Sequence, residues 1–546
     1  MTDRSRLDPQ RRTRMLQALG AREFDVAVVG GGALGCGVAV DAASRGLSVA
    51  LVEAEDFGAG SATGSGEIVL GGPPQLLRVE LGSARRALLE RDLMVDCLCP
   101  HLVRTEPFLV PVERPWDRLR TGVGTMAHDL FRLTGPPRGG GRCLFRWPGA
   151  KNKVPWNGHL GRRATLETAP ALRPERIRGA VRYWDAVLDD ARHTLLLART
   201  AAGIGATVAN RVEAVEVTRS AGRISGLRVR DLESGDQFEV SARVVVNATG
   251  LEAERLQSLA KGRAVAVGTA RSVRAVLPGA RFDATSGVVI PGPDGPVGIR
   301  RWHDNWLIGT TDIHRDHDVG QLLAQIAPWL RSPIERTHLT GIHARNRPVI
   351  GLIGRPEASE VVVEEPRGFV TVVSNSYALY RVLAREAVDL AVRRIGRSAP
   401  GSKTHRLPVL GASGYRVLRG MRSQLAEQFG LEEARVDHLL GRYGSLTTEL
   451  LDLIDARPEL GKPLAAAPRY AAAEIVYAVQ AEGALHLGDV LARRTRIAME
   501  SPDGGLTAAP EVARLMADTL DWSPAQMARE LADYQAGYEA EMRARD

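Results

Sequence analysis

The most constraining feature of this chain lies near its start. Phe24 to Val29 (FDVAVV) reads as a buried apolar strand, GGGALG (Gly30–Gly35) breaks it, and small apolar residues at helical spacing follow through CGVAVDAASRG. SVALVEAED is then a second strand, with Glu53 near its end. Strand, glycine turn, helix and strand in this order form the opening βαβ unit of a dinucleotide-binding sheet, here spanning Asp25 to Glu53. Gly30 permits the tight turn, Gly32 lets backbone N–H groups approach a pyrophosphate, and Gly35 allows the helix to pack closely on the sheet. Ala33 and Leu34 complete the cradle, whose helix N-terminal amides hold the anion. Glu53 is expected to accept hydrogen bonds from the adenosine ribose, which implies a free 2′-hydroxyl, since a 2′-phosphate would be repelled there.

A second element returns to this cradle about 200 residues downstream, where SARVVVNATG drives a β-branched strand into a turn at Ala248, Thr249 and Gly250. A single nicotinamide domain has no need of that return, so FAD is expected rather than NAD, with Ala248 and Gly250 beside it. Val212, in NRVEAVEV, is the expected contact at the adenine edge. Between these elements, residues 60–75 are rich in Gly, Ser and Pro and read as a loop, and residues 134–152 as an exposed insertion. DDARHTLLLARTAAGIGA reads as a helix with Asp189 and Asp190 at its start, where the helix dipole favours negative charge. Several short strands are expected over about 265–345, including NWLIGTTD with a turn at Thr310, Thr311 and Asp312. FVTVV and a helix from about Leu379 lead back to the first domain, and beyond Pro408 the pattern is almost continuously helical.

The expected fold class is therefore α/β: a two-domain FAD-dependent oxidoreductase, with a Rossmann-like FAD domain, an antiparallel-sheet substrate domain and a C-terminal all-helical domain. Its expected divisions are a basic lead-in over 1–22, the oxidoreductase region over 23–407 and the helical domain over 408–546. Within the middle region, the FAD domain is drawn mainly from 23–78, 180–262 and 340–400.

The 546 residues carry 72 Lys and Arg against 64 Asp and Glu, a formal charge of +8. The arginines are interspersed with acids, and neither zinc spacings nor nucleic-acid recognition motifs occur, so no nucleic-acid partner is expected. Cys36, Cys97, Cys99 and Cys143 form no CxxC pair and no His/Cys metal set, and read as reduced cysteines of a cytoplasmic protein. No apolar run approaches the roughly 18 residues of a spanning helix, and the first 20 residues contain no secretory apolar core, so any membrane contact is expected to be peripheral.

FDVAVVGGGALGCGVAVDAASRGLSVALVEAEDFGAG, PHLVRTEPFLVPV, YWDAVLDDARHTLLLARTAA, VVVNATG, IGTTD and AEGALHLGDVLARRTRIAME together resemble FAD-dependent glycerol-3-phosphate dehydrogenase of the actinobacterial type, over nearly the whole chain. The resemblance implies oxidation of the C2 alcohol of glycerol 3-phosphate to dihydroxyacetone phosphate, with hydride passing to flavin and electrons to quinone at the inner membrane face. A homodimer is compatible with it. That chemistry needs cations for the phosphate and a carbon–hydrogen bond held over the flavin.

The family's cations are where this chain departs. The loop resembling SSRSTKLIHGGLRYL is ATGSGEIVLGGPPQL, which keeps Gly71 and Gly72 but sets Gly64, Glu67, Leu70, Pro74 and Gln75 at the Arg, Lys, His, Arg and Tyr positions. The family's GGKxTTYR is SNSYALYR, with Ser376 at the phosphate-binding lysine and Tyr380 and Arg381 kept. KGxH reads RSVR, with Arg271 and Arg274 expected on a solvated face, and SRxH has no clear counterpart. Arg347, in ARNRPVI, matches the arginine of GLRPL and is the expected anion-binding residue. Losing three charge-assisted donors costs about 4 to 9 kcal/mol, enough to undo binding of a small triose phosphate. Three readings follow. One is a dehydrogenase acting on glycerol 3-phosphate or an altered polyol or anionic substrate. Another is a degenerate paralogue serving as a flavin-binding or interaction protein. The last is an amine or amino-acid oxidase in which Arg347 clamps a carboxylate. His101, His193 and His303 match no motif position with a chemical role and read as structural or surface residues.

Overall fold

The computed structural model describes residues 3–60, 81–114, 154–293, 295–310, 318–352 and 355–543. Its first surprise is the lead-in. Asp8 caps a helix, α1 (Pro9–Ala21), by accepting from the Arg11 amide at 2.8 Å, and Pro9 occupies the first helical position, where its missing N–H costs nothing. The helix turns Leu19 into the core and Arg12 onto Asp231 at 2.5 Å. Sequence reading gave this segment only its charge, because its apolar residues are too few to mark a stripe.

β1 (Phe24–Val29) is buried along its whole length and pairs in parallel with β2 (Val49–Val52) on one side and with Gln237–Asn247 on the other. The intervening helix, α2 (Ala33–Ser44), makes the crossover. Alternation along β1 separates two cores. Val26 and Val28 face α2 and the helices Asp190–Gly203 and Tyr380–Ile395. Ala27 and Val29 face α1 and the hairpin of Val212–Ser220 with Arg223–Asp231. The sheet continues outward through Phe369–Ser374 and Glu360–Glu364 at one edge and Thr207–Ala209 at the other.

A second, nine-stranded sheet is built mostly of antiparallel pairs. One of its faces packs Val273, Ala275, Leu277, Trp306 and Ile308 beneath the helix Val319–Ile326. On the other face, Val276, Trp302 and Leu307 meet Met499 of the C-terminal domain. This sheet corrects the expected partition. Gly179–Leu188 and Gly341–Leu352, placed by sequence in the FAD domain, pair instead with Val103–Val112 and Val265–Pro278 and belong to the second sheet.

The C-terminal helices, from Tyr415 to Arg543, enclose a core of their own around Ile475, Val476, Val479, Leu491, Val512 and Met516. Their contact with the first domain combines apolar packing, in which Leu439, Leu446, Leu450 and Tyr477 join the core that holds Val26 and Leu195, with buried ion pairs. Asp56, fully buried, accepts from Arg493 at 2.6 Å and from Arg494 at 2.6 and 2.8 Å. Asp189 takes Arg496 at 2.5 Å and Arg442 at 3.3 Å, and Glu482 pairs with Arg192 and Arg199. Cys36 and Cys99 are free and buried, whereas Cys97 is disulfide-bonded, which corrects the all-thiol expectation at that residue. Among the described residues, no helix is long and apolar enough to cross a membrane.

Candidate active site

The glycine turn and the later Ala248–Gly250 turn meet. Gly30, at φ +107°, donates to the Val52 carbonyl at 2.9 Å, and a Cβ at this position would lie 2.5 Å from the Ala248 carbonyl oxygen. The Ala248 amide in turn donates to Val29 O at 2.9 Å. Gly35 sits against the same turn, since a Cβ there would be 1.9 Å from Gly30 O; it packs helix on sheet and does not line the cavity. At Gly32, the N-cap of α2, a Cβ would meet nothing within 4 Å, because this position opens onto the cavity.

That cavity holds about 400 Å³. Gly30, Gly32, Ala33 and Leu34 form one wall, Glu53 and Val212 the next, and Ala248 and Gly250 a third. Glu53 is oriented by the amides of Gly31 and Glu55, the latter at 2.8 Å. Burial pushes its carboxyl up to about 7 despite those bonds, so it gains from any further donor. Val212 is buried, and its amide donates to Glu53 O at 2.8 Å. The downstream turn is shaped by the buried Asn247, which accepts from the Thr249 hydroxyl at 2.7 Å and donates to Ala253 O at 2.8 Å. Sequence reading missed Asn247, although its place before the Ala-Thr-Gly turn is a signal, because Asn side chains fix turns of this kind.

The remaining wall comes from SNSYALYR, where Ser374, Asn375, Ser376, Tyr377 and Tyr380 line the cavity. The Asn375 amide is the residue that sequence reading had no means to find: neither its Oδ1 nor its Nδ2 has a partner among the described residues, a costly state for buried amide atoms unless a ligand completes them. The Tyr377 hydroxyl is held from behind by His193 Nδ1 at 2.8 Å and by Thr194 at 3.2 Å, and itself donates to Asp190 O at 3.2 Å. Burial lowers His193 to about 3, so the imidazole is neutral. His101 is likewise buried, and burial lowers it to about 3. His303 stands 3.8 Å from Glu500, and burial lowers it to about 2. All three lie outside the cavity lining.

Arg347 lines the cavity with Pro348, from the strand Gly341–Leu352. Arg381 does not, because its guanidinium is engaged by Glu90 at 2.5 and 2.7 Å and by Thr404. Arg274 departs from the solvated face expected of it: it is 9% exposed, and its side chain crosses Gly309, where a Cβ would meet Arg274 Cγ at 3.0 Å. The substituted positions Gly64, Glu67, Leu70, Pro74 and Gln75, the retained Gly71 and Gly72, the insertion 134–152, Cys143, Thr311 and Asp312 lie outside the described residues.

Two glycine turns closing on a long cavity, with a mixed sheet over its far end, define a two-domain FAD-dependent oxidoreductase. Residues 25–378 match the family described as FAD dependent oxidoreductase, and residues 402–527 match the C-terminal domain of alpha-glycerophosphate oxidase. The chain is 38% identical to glycerol-3-phosphate dehydrogenase of Mycobacterium leprae, over 98% of its own length and 92% of that protein's. It belongs to the FAD-dependent glycerol-3-phosphate dehydrogenase family. The human mitochondrial glycerol-3-phosphate dehydrogenase is 28% identical over 98% of this chain and 77% of its own. In fold, the chain resembles the Bacillus halodurans glycerol-3-phosphate dehydrogenase solved with FAD, at TM-score 0.77, 21% identity and 98% coverage of both chains. The residues present fit FAD: the glycine cradle leaves room where a Cβ at Gly32 would point, Glu53 can accept from a ribose, and Asn375 offers an unpaired amide.

Proposed function

We propose that this protein oxidises a secondary alcohol of a small polyol-derived anion, glycerol 3-phosphate or an altered substrate of that class. One observation carries the reading: Arg347, a cation able to grip phosphate or carboxylate through two parallel hydrogen bonds, stands in the wall of the cofactor cavity. Bound FAD supplies a two-electron acceptor for hydride. The protein's part is positional. Glu53 and the α2 amides hold the adenosine and pyrophosphate end. Asn375 is placed to meet polar ring atoms, and Tyr377, fixed by His193 and Thr194, keeps its ring in the wall. Arg347 holds the substrate anion so that the reacting carbon faces the flavin, a gain that comes from orientation. Quinone as acceptor, peripheral contact with a membrane and assembly as a homodimer are the finer parts of this reading, and their support is the family resemblance.

The test is anaerobic. Purified yellow protein is titrated with glycerol 3-phosphate and with longer polyol phosphates while the flavin spectrum is recorded. Bleaching at millimolar concentration by at least one of them is expected, and Arg347→Gln should raise the concentration needed by roughly tenfold to a hundredfold. A flavoprotein that none of these anions bleaches overturns the dehydrogenase reading in favour of the degenerate paralogue. Bleaching by amino acids alone overturns it in favour of the oxidase.

A further inference from the structure

The strands beneath the cofactor cavity dictate which part of a bound FAD lies where. β2, β1, Gln237–Asn247 and Phe369–Ser374 are neighbours in that order, and all four run parallel. Their C-terminal ends therefore share one edge of the sheet, the edge outside which such sheets bind their ligands. With the adenosine ribose at Glu53, past the end of β2, and the pyrophosphate at the glycine turn, past the end of β1, the rest of the cofactor extends toward the end of Phe369–Ser374.

Asn375 is the first residue beyond that strand, and it lines the cavity. Thr371 is level with Asn247, and Asn247 with Val29. Gly30 is one residue past that level and Asn375 four, so Asn375 stands two strand spacings across from Gly30 and three residues further out. Each offset is about 10 Å, which places Asn375 on the order of 14 Å from the turn. An extended ribityl chain covers only about 7 Å, so the part of the cofactor that reaches Asn375 is the ring.

The backbone here is fixed and the side chain is left over. Asn375 N–H donates to Ser359 O at 3.0 Å, and the Ser376 N–H donates to the Ser374 hydroxyl at 3.0 Å. The Asn375 carboxamide, by contrast, is shielded from solvent without a hydrogen-bond partner among the described residues at either Oδ1 or Nδ2. It is also an addition of this chain, because the motif GGKxTTYR that SNSYALYR resembles has glycine at this position. A carboxamide offers an acceptor beside donors, and its complement is an edge with a donor beside acceptors. The flavin ring has such an edge, the imide N3–H between the C2 and C4 carbonyls.

We infer that Asn375 turns its carboxamide onto the imide edge of the bound flavin, Oδ1 accepting from N3–H and Nδ2 donating to a flanking carbonyl. Two parallel hydrogen bonds complete both orphaned atoms at once and fix the ring against sliding along the wall that carries Arg347. The inference rests on the placement of FAD given above and is independent of which alcohol is oxidised.

The experiment is a competition on the full-length holoprotein. The protein is equilibrated with equal amounts of FAD and 3-methyl-FAD, whose N3 has no hydrogen to donate, and the flavins released from it are resolved by chromatography. Wild type should retain FAD in at least about tenfold preference, the equivalent of one lost hydrogen bond whose partner stays buried. Asn375→Ala should reduce the preference to within about twofold, and Asn375→Gly should do the same should the alanine variant misfold. Equal retention by wild type, or a preference that both variants keep, overturns the inference. Wild type that retains neither flavin overturns the FAD placement beneath it. Bleaching by polyol phosphates is scored separately, so the dehydrogenase reading and this one can fail independently.

Discussion

Gly30 and Gly32 belong to one turn but answer to different neighbours. A side chain at Gly30 strikes the Ala248 carbonyl and demands a left-handed φ, so Gly30→Ala should destabilise the chain by more than about 1 kcal/mol with or without cofactor. A side chain at Gly32 points into the cavity, so Gly32→Val should leave the melting temperature of the cofactor-free protein within a degree or two and weaken FAD binding at least tenfold. Thermal melts of both forms with a flavin titration check the pair. Glu53 provides a pH test. Its carboxyl is raised to about 7 in the folded chain by burial, so between about 4.5 and 7 the folded state binds more protons than the unfolded one. Stability of the cofactor-free protein should fall as pH rises through that window, and Glu53→Gln should flatten the slope in melts recorded from pH 5 to 8.

At the scale of elements, His486 joins the turn after Arg223–Asp231 to the last helix, through Glu233 at 2.9 Å and Glu530 at 2.8 Å. Hydrogen bonds to Glu233 first, and then to Glu530, raise it to about 10. A histidine raised in this way contributes its full stability below the unfolded value of about 6.5 and loses it as pH climbs through 10. Hydrogen exchange in the helix Pro524–Arg543 should accelerate over that range, and His486→Gln should show the faster exchange already at pH 7. This clamp was invisible in the sequence, as contacts spanning hundreds of residues are. What sequence does expose is local. The β1–α2–β2 unit could be read to within a few residues because glycine spacing and apolar periodicity act over short range. Gly179–Leu188 and Gly341–Leu352 joined the unexpected sheet, because sequence pattern reports which side of a strand is buried and not which strand lies beside it. Arg274 was misjudged for a related reason: a bare strand glycine opposite, Gly309, creates the room that buries it.

For the molecule as a whole, the helical domain is held by shared apolar packing and by buried paired charges, where removing one partner strands the other. Asp56→Asn should cost about 3 to 5 kcal/mol, measured by denaturant titration, because it leaves two buried arginines facing a neutral amide. A substitution at the exposed pair Arg163–Glu167 should cost less than about 1 kcal/mol. The seam also bears on ancestry. A recombination break near residue 408 would leave Asp56, Asp189, Arg192 and Glu482 divided between two fragments, each with uncompensated charge on its cut face. Domain loss or exchange at that boundary would strand charge on both cut faces unless several residues changed at once.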